Sequence, residues 1–324
     1  MQSNGFLSIC TFVLLCIIMV MLDCVSFLKG VYMFKGSYVA LVTPMLANGD
    51  VDYPSLAKLV DFHIEAGTDG IVSVGTTGES ATLSFTQHVD VVKATVAAVN
   101  GRCGVVVGSG ANSTAESLFL QNKTQDLGID GFLSVVPYYN KPQQRGMIEH
   151  FSVLADAAKV PVLLYNVPGR TVADMLPDTV ATLSTHPNIV GIKDATGDMQ
   201  RLKDMQSKVS DNFLLLSGDD ATGCEFMNLG GHGVISVTAN IVPKQMKMMC
   251  DAALSGNIAL AQEIDSTIEK LHSELFVESN PVIPKWALYK MGLINSPELR
   301  LPLVQAELSS KELIEATLHD YQLI

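Results

Sequence analysis

Basic residues are in short supply in this chain. Its 324 residues hold 21 Lys and Arg against 33 Asp and Glu, a formal net charge of -12, and no basic patch stands out. A nucleic-acid surface needs clustered positive charge, so that class is excluded. Cysteine is sparse as well. Cys10, Cys16 and Cys24 fall in the first 32 residues, and only Cys103, Cys224 and Cys250 follow, far apart. Such scatter gives neither a disulfide framework nor a metal cluster, and it suits a reducing cytoplasm. No His, Cys and Asp group has metal-ligand spacing, which disfavours chemistry through a metal-bound enolate. Low-complexity segments and flexible linkers are missing too.

Long apolar runs are also rare, with one exception. Phe6 to Leu22 is almost unbroken. A secretory signal needs a basic start, but Met1 to Gly5 carries no Lys or Arg, and no small-x-small cleavage site follows. A membrane span needs about 20 residues, so this run is at the short limit. The reading that fits best is translation from Met33, with residues 1–32 an upstream extension. On that reading the chain meets a membrane only if residues 1–32 are retained.

What is present is regular. Eight short β-branched runs recur, at 38–42, 70–74, 104–107, 131–136, 160–165, 189–193, 213–216 and 233–237. Each is apolar throughout, as strands buried on both faces of a parallel sheet must be. Helical patterns separate them: one from Tyr53, then 86–100, 114–127, 143–158, 177–185, 198–209, 220–229 and 242–254. Asn112 to Glu116 reads as a capped helix start. Eight strand–helix repeats predict a (β/α)8 TIM barrel over 33–256. The alternative is an open doubly wound sheet, but no Gly-x-Gly-x-x-Gly follows the first strand. Helices at 257–275, 281–292 and 309–321 predict a C-terminal helical appendage over 257–324.

Lys193 is the most informative residue. It stands in Ile189-Val-Gly-Ile-Lys-Asp194, an apolar strand. A buried amine without a partner loses its charge readily and becomes a nucleophile toward carbonyls. The competing reading is a strand-end lysine paired with Asp194. Barrel active sites lie at the C-terminal ends of the strands. Those ends carry Gly75-Thr76-Thr77-Gly78-Glu79, Tyr138-Tyr139-Asn140, Tyr165-Asn-Val-Pro-Gly-Arg170, Lys193-Asp-Ala-Thr-Gly197 and Ser217-Gly218-Asp-Asp220. One mouth therefore collects an amine, phenols, hydroxyls and a guanidinium. An amine forms an iminium with a ketone, and loss of an α-proton yields an enamine. Phenols and hydroxyls relay protons. Arginine grips a carboxylate. A phosphate cup at Gly230 to Gly233 is weaker, because that turn precedes the eighth strand at the opposite face.

These motifs, together with Leu216-Ser-Gly-Asp-Asp220 and Gly230-Gly-His-Gly-Val-Ile-Ser-Val237, are highly specific. From Met33 to Ile324 the chain resembles the bacterial 4-hydroxy-tetrahydrodipicolinate (dihydrodipicolinate) synthases. These are pyruvate-dependent class I aldolases related to N-acetylneuraminate lyase. The resemblance implies a Schiff base between Lys193 and pyruvate, with no cofactor. It implies Tyr165 as the central acid/base. Thr76 and Tyr139 complete the relay, Tyr139 reaching in from a neighbouring subunit of a homotetramer. It gives Thr77, Gly218 and Ile235 to pyruvate and Arg170 to the carboxylate of L-aspartate 4-semialdehyde. A sister pyruvate aldolase, such as N-acetylneuraminate lyase or a sugar-acid aldolase, is the runner-up. The resemblance further implies L-lysine feedback inhibition at Ser80, Ala81, His88, Asn112, Glu116 and Tyr138. Phe85 departs from the histidine often found in inhibited enzymes.

Overall fold

The computed structural model describes residues 34–324. The expectation for residues 1–32 lies outside the described residues. All eight apolar runs form strands: β1 (Gly36–Ala40), β2 (Gly70–Ser73), β3 (Gly104–Gly108), β4 (Gly131–Val135), β5 (Val162–Asn166), β6 (Ile189–Asp194), β7 (Leu214–Ser217) and β8 (Gly233–Ser236). They are parallel and close in chain order, β1 pairing with both β2 and β8. The first strand starts two residues earlier than its apolar run. Leu41 and Val42 are buried beyond the sheet, and the Val42 N–H donates to Asn240 Oδ1 at 3.2 Å. Leu41 still donates its backbone N–H to the Val72 carbonyl of β2 at 3.1 Å, so this buried extension reads like strand in sequence.

The pleat sorts each strand into two faces. Tyr38, Val72, Val106, Leu133, Leu163 and Leu216 fill the barrel interior. Their neighbours, such as Val39, Ile71, Phe132, Leu164 and Ile192, pack outward against the helices. The Tyr38 ring crosses the barrel near its base. A Cβ on Gly70 would lie 2.0 Å from that ring, so only glycine fits at the start of β2. With Phe34 and Tyr38 fully buried there, the base is closed.

The barrel helices are α1 (Tyr53–Glu65), α2 (Phe85–Val99), α3 (Thr114–Thr124), α4 (Gln144–Ala157), the single turn α5 (Pro168–Thr171), α6 (Pro177–Leu183), α7 (Met199–Gln206), α8 (Gly223–Asn228) and α9 (Pro243–Leu254). Ser84 and Gln87 form a capping box that starts α2. The expected cap at α3 is different. Ser113 is its N-cap residue but makes no side-chain capping bond, and Ser117 Oγ instead accepts from the Ala111 N–H at 2.9 Å.

Beyond the barrel lie α10 (Ile258–Ser266), α11 (Glu269–Glu274), α12 (Val282–Lys290) and α13 (Leu308–Asp320). The helix expected over 257–275 is thus two. The break falls at Ile268, whose φ is -126°. No glycine or proline marks it. Ile264, Leu271, Ile283, Leu288 and Ile314 join the same core that the barrel helices make with the sheet. No helix among the described residues is long and apolar enough to cross a membrane.

Candidate active site

The pleat decides the question posed by Lys193. On β6, Lys193 points into the barrel and Asp194 points outward. Asp194 accepts from Arg201 Nε at 2.8 Å and from Asn166 Nδ2 at 3.2 Å. Its other oxygen takes the Thr196 backbone N–H at 3.0 Å. The expected alternative of a Lys193–Asp194 pair does not form, because adjacent strand residues face opposite ways. Among the described residues no carboxylate lies within ion-pair distance of Lys193. The register of β5 with β6 sets Tyr165 opposite Lys193. The amine stands 4.4 Å from the centre of the Tyr165 ring.

Both groups are buried, Lys193 at 5% exposure. Desolvation pushes the amine down to about 8, and Arg170 adds to this, while the Asp220 charge works against it. Asp220 Oδ2 accepts the backbone N–H groups of Val237 and Thr238, at 2.8 and 2.9 Å. Burial raises the Tyr165 phenol, and the Arg170 charge and a side-chain hydrogen bond to Thr76 pull the other way. Close packing over the lysine stem needs Gly218. A Cβ there would come within 2.5 Å of Lys193 Cε.

Lys193 opens into a cavity of about 150 Å³ that Thr76, Thr77, Tyr165, Arg170 and Gly218 also line. Thr77 Oγ1 accepts from Asn280 Nδ2 at 2.9 Å, which leaves its own proton for another partner. Arg170 is exposed at the rim and donates to the Asn280 carbonyl at 3.3 Å. A second cavity of about 320 Å³ adjoins the first and shares Thr76, Arg170 and Asn280. The Thr76–Thr77 turn is bracketed by two non-glycine residues with left-handed backbone, Val74 at φ 48° and Glu79 at φ 55°. Such conformations cost about 1–3 kcal/mol each and persist only where surrounding structure enforces them. For a β-branched valine the position is a true outlier.

Not every expected residue meets here. Ile235 is buried on β8 and does not line either cavity, whereas Val237 lines the inner one. Tyr139 is 88% exposed, at φ 75°, and lies outside both cavities of a single chain. Ser80, Ala81 and Tyr138 line the outer cavity. Burial and the Glu116 charge raise the Tyr138 phenol, which is hydrogen-bonded by the backbone of Asn112. His88 lines neither cavity: it is buried in α2, pushed down to about 4 by desolvation. Phe85 is exposed and packs against Phe119, ring centres 5.2 Å apart. Sequence reasoning missed Asn280, Phe276 and Asp219, which line the inner cavity. Asp219 stood inside a quoted motif. Asn280 and Phe276 come from the C-terminal region, where no pattern marks which loop returns to the barrel mouth.

The model of the dihydrodipicolinate synthetase family matches residues 33–321. The chain belongs to that family. A 4-hydroxy-tetrahydrodipicolinate synthase of Pseudoalteromonas atlantica is 66% identical over 288 residues, spanning 89% of this chain and 98% of that protein. The chloride-inhibited dihydrodipicolinate synthase of Acinetobacter baumannii, solved with pyruvate, superposes with a TM-score of 0.88. It is 48% identical and covers 90% of this chain and 99% of its own. A lysine-bound dihydrodipicolinate synthase from Cyanidioschyzon merolae is 37% identical, with a TM-score of 0.87, over 90% of this chain and all of its own. The dihydrodipicolinate synthetase family is thus matched along both the barrel and the C-terminal helices.

Proposed function

We propose that the chain is a 4-hydroxy-tetrahydrodipicolinate synthase, a lyase of the diaminopimelate and L-lysine pathway. It condenses pyruvate with L-aspartate 4-semialdehyde. The observation that carries this reading is the buried Lys193 amine, lowered to about 8 by desolvation and set against the Tyr165 ring. The amine adds to C2 of pyruvate, and water leaves as the iminium forms. Loss of a proton from C3 gives the enamine, whose carbon attacks the aldehyde. Cyclisation through the semialdehyde's amine releases Lys193 and yields (2S,4S)-4-hydroxy-2,3,4,5-tetrahydrodipicolinate.

In this reading Tyr165 carries protons in both directions with Thr76 as its neighbour in the relay. Tyr139 completes the relay from a neighbouring subunit of a homotetramer, which accords with its exposure in a single chain. Thr77 donates to the pyruvate carboxylate, since its oxygen is already occupied by Asn280. Gly218, which lines the inner cavity, contributes a backbone contact. Arg170, at the rim, holds the carboxylate of the semialdehyde. Residues 33–256 form the catalytic barrel and 257–324 the helical region, in a cytoplasmic enzyme that needs no cofactor.

L-lysine is proposed as a feedback inhibitor at Ser80, Ala81, His88, Asn112, Glu116 and Tyr138. The lysine-bound relative and the grouping of Ser80, Ala81 and Tyr138 along one cavity support this.

The test is acceptor choice. With pyruvate present, L-aspartate 4-semialdehyde is turned over and N-acetylmannosamine is not; the reverse preference contradicts the reading. Arg170→Ala raises the KM for semialdehyde by about tenfold to a hundredfold and leaves imine formation with pyruvate within about twofold. Equal loss of both steps contradicts the role of Arg170.

A further inference from the structure

The mechanism leaves one buried charged cluster unused. Lys285 Nζ lies 2.5 Å from Glu79 Oε1, and both side chains are fully buried. The same amine donates to the Glu298 carbonyl at 2.6 Å. The second Glu79 oxygen accepts the Arg300 backbone N–H at 3.0 Å. The Arg300 guanidinium then reaches the Thr82 carbonyl at 3.0 Å and Gln87 Oε1 at 2.8 Å. Among the described residues, both donors to Glu79's carboxylate therefore come from the C-terminal region, while Glu79 itself ends the Thr76–Thr77 turn. A buried ion pair is a poor source of stability, since desolvation offsets its attraction. It is a good source of orientation. The turn it grips has strained residues at both ends, Val74 and Glu79, so it needs an outside constraint.

We infer that Glu79 and Lys285 are positioning residues: their fully buried pair, anchored by Glu298 and Arg300, holds the Thr76–Thr77 turn in register with Lys193. The inference rests on the proposed role of that turn in binding pyruvate. Thr77 feels the constraint twice, through the backbone to Glu79, which pairs with Lys285, and through its bond from Asn280.

The experiment compares wild type, Lys285→Met and the near-isosteric double variant Glu79→Gln/Lys285→Met, which leaves no lone buried charge. Borohydride trapping with pyruvate reads the rate of adduct formation on Lys193, and circular dichroism reads folding. In folded variants the trapping rate falls and the pyruvate KM rises, each by about tenfold to a hundredfold, while the semialdehyde KM moves less than about twofold. A role in stability alone would shift melting and leave the folded protein's trapping rate unchanged. Wild-type rate and KM in a folded variant overturn the inference, as does a double variant that cannot fold. Absence of any adduct in wild type defeats the proposed function instead, so the two failures are distinct.

Discussion

Two lysines are buried among the described residues, and their surroundings differ in one respect. Lys193, near the end of β6, has an aromatic ring, glycine and threonine hydroxyls around it and, among the described residues, no carboxylate in ion-pair reach. Lys285, in α12, meets Glu79 at 2.5 Å with both groups fully buried. The first environment disfavours the charge and frees the amine for chemistry. In the second, desolvation also lowers the amine, but the Glu79 charge and hydrogen bond oppose it, and the pair grips a loop. Burial lowers both amines; what sets Lys193 apart is that no carboxylate among the described residues stands within ion-pair reach to hold its charge.

Exchanging each lysine for methionine breaks the comparison open. Lys193→Met removes a desolvated cation, so urea unfolding shows stability held or raised, while turnover drops by about 10⁴-fold or more. Lys285→Met leaves Glu79 buried without its counter-charge, and the same titration loses about 3–5 kcal/mol. Equal destabilisation by both exchanges would erase the distinction.

A gentler probe concerns buried groups that stay uncharged. Desolvation lowers His63 to about 3 and His150 to about 4, and His88 likewise to about 4. The unfolded chain protonates these rings near pH 6.5. Between roughly pH 4 and 6.5 the unfolded state therefore binds more protons, so stability is full above that window and is lost as pH falls through it. Urea midpoints measured at pH 7.5, 6 and 5 should decline in that order. A flat series, or one that improves on acidification, contradicts the neutral buried rings.

Much of the barrel was legible because each strand is a separate apolar run and each helix a separate periodic one. Even the place of Lys193 could be read, since strand ends in such a repeat share one mouth. Its orientation against Asp194 followed only once the pleat was fixed. The inner cavity's Asn280 and the Glu79–Lys285 pair were not legible. They join residues 203 and 206 positions apart, and no local pattern reports which charges meet after folding. The helix break at Ile268 escaped for a related reason, since packing rather than a breaker residue ends α10. Tyr139 stands between these cases: its motif was readable, but at 88% exposure it lies outside both cavities of a single chain.

The central claim is that Lys193 is an unpaired, desolvated amine that captures pyruvate. Borohydride trapping across pH, with peptide mass analysis, tests it most directly. The account predicts one pyruvate-derived adduct, on Lys193, forming faster as pH rises toward about 8 and levelling above it. An adduct on another lysine, no adduct at all, or a rate still climbing toward pH 10.5 as for an ordinary lysine would contradict it.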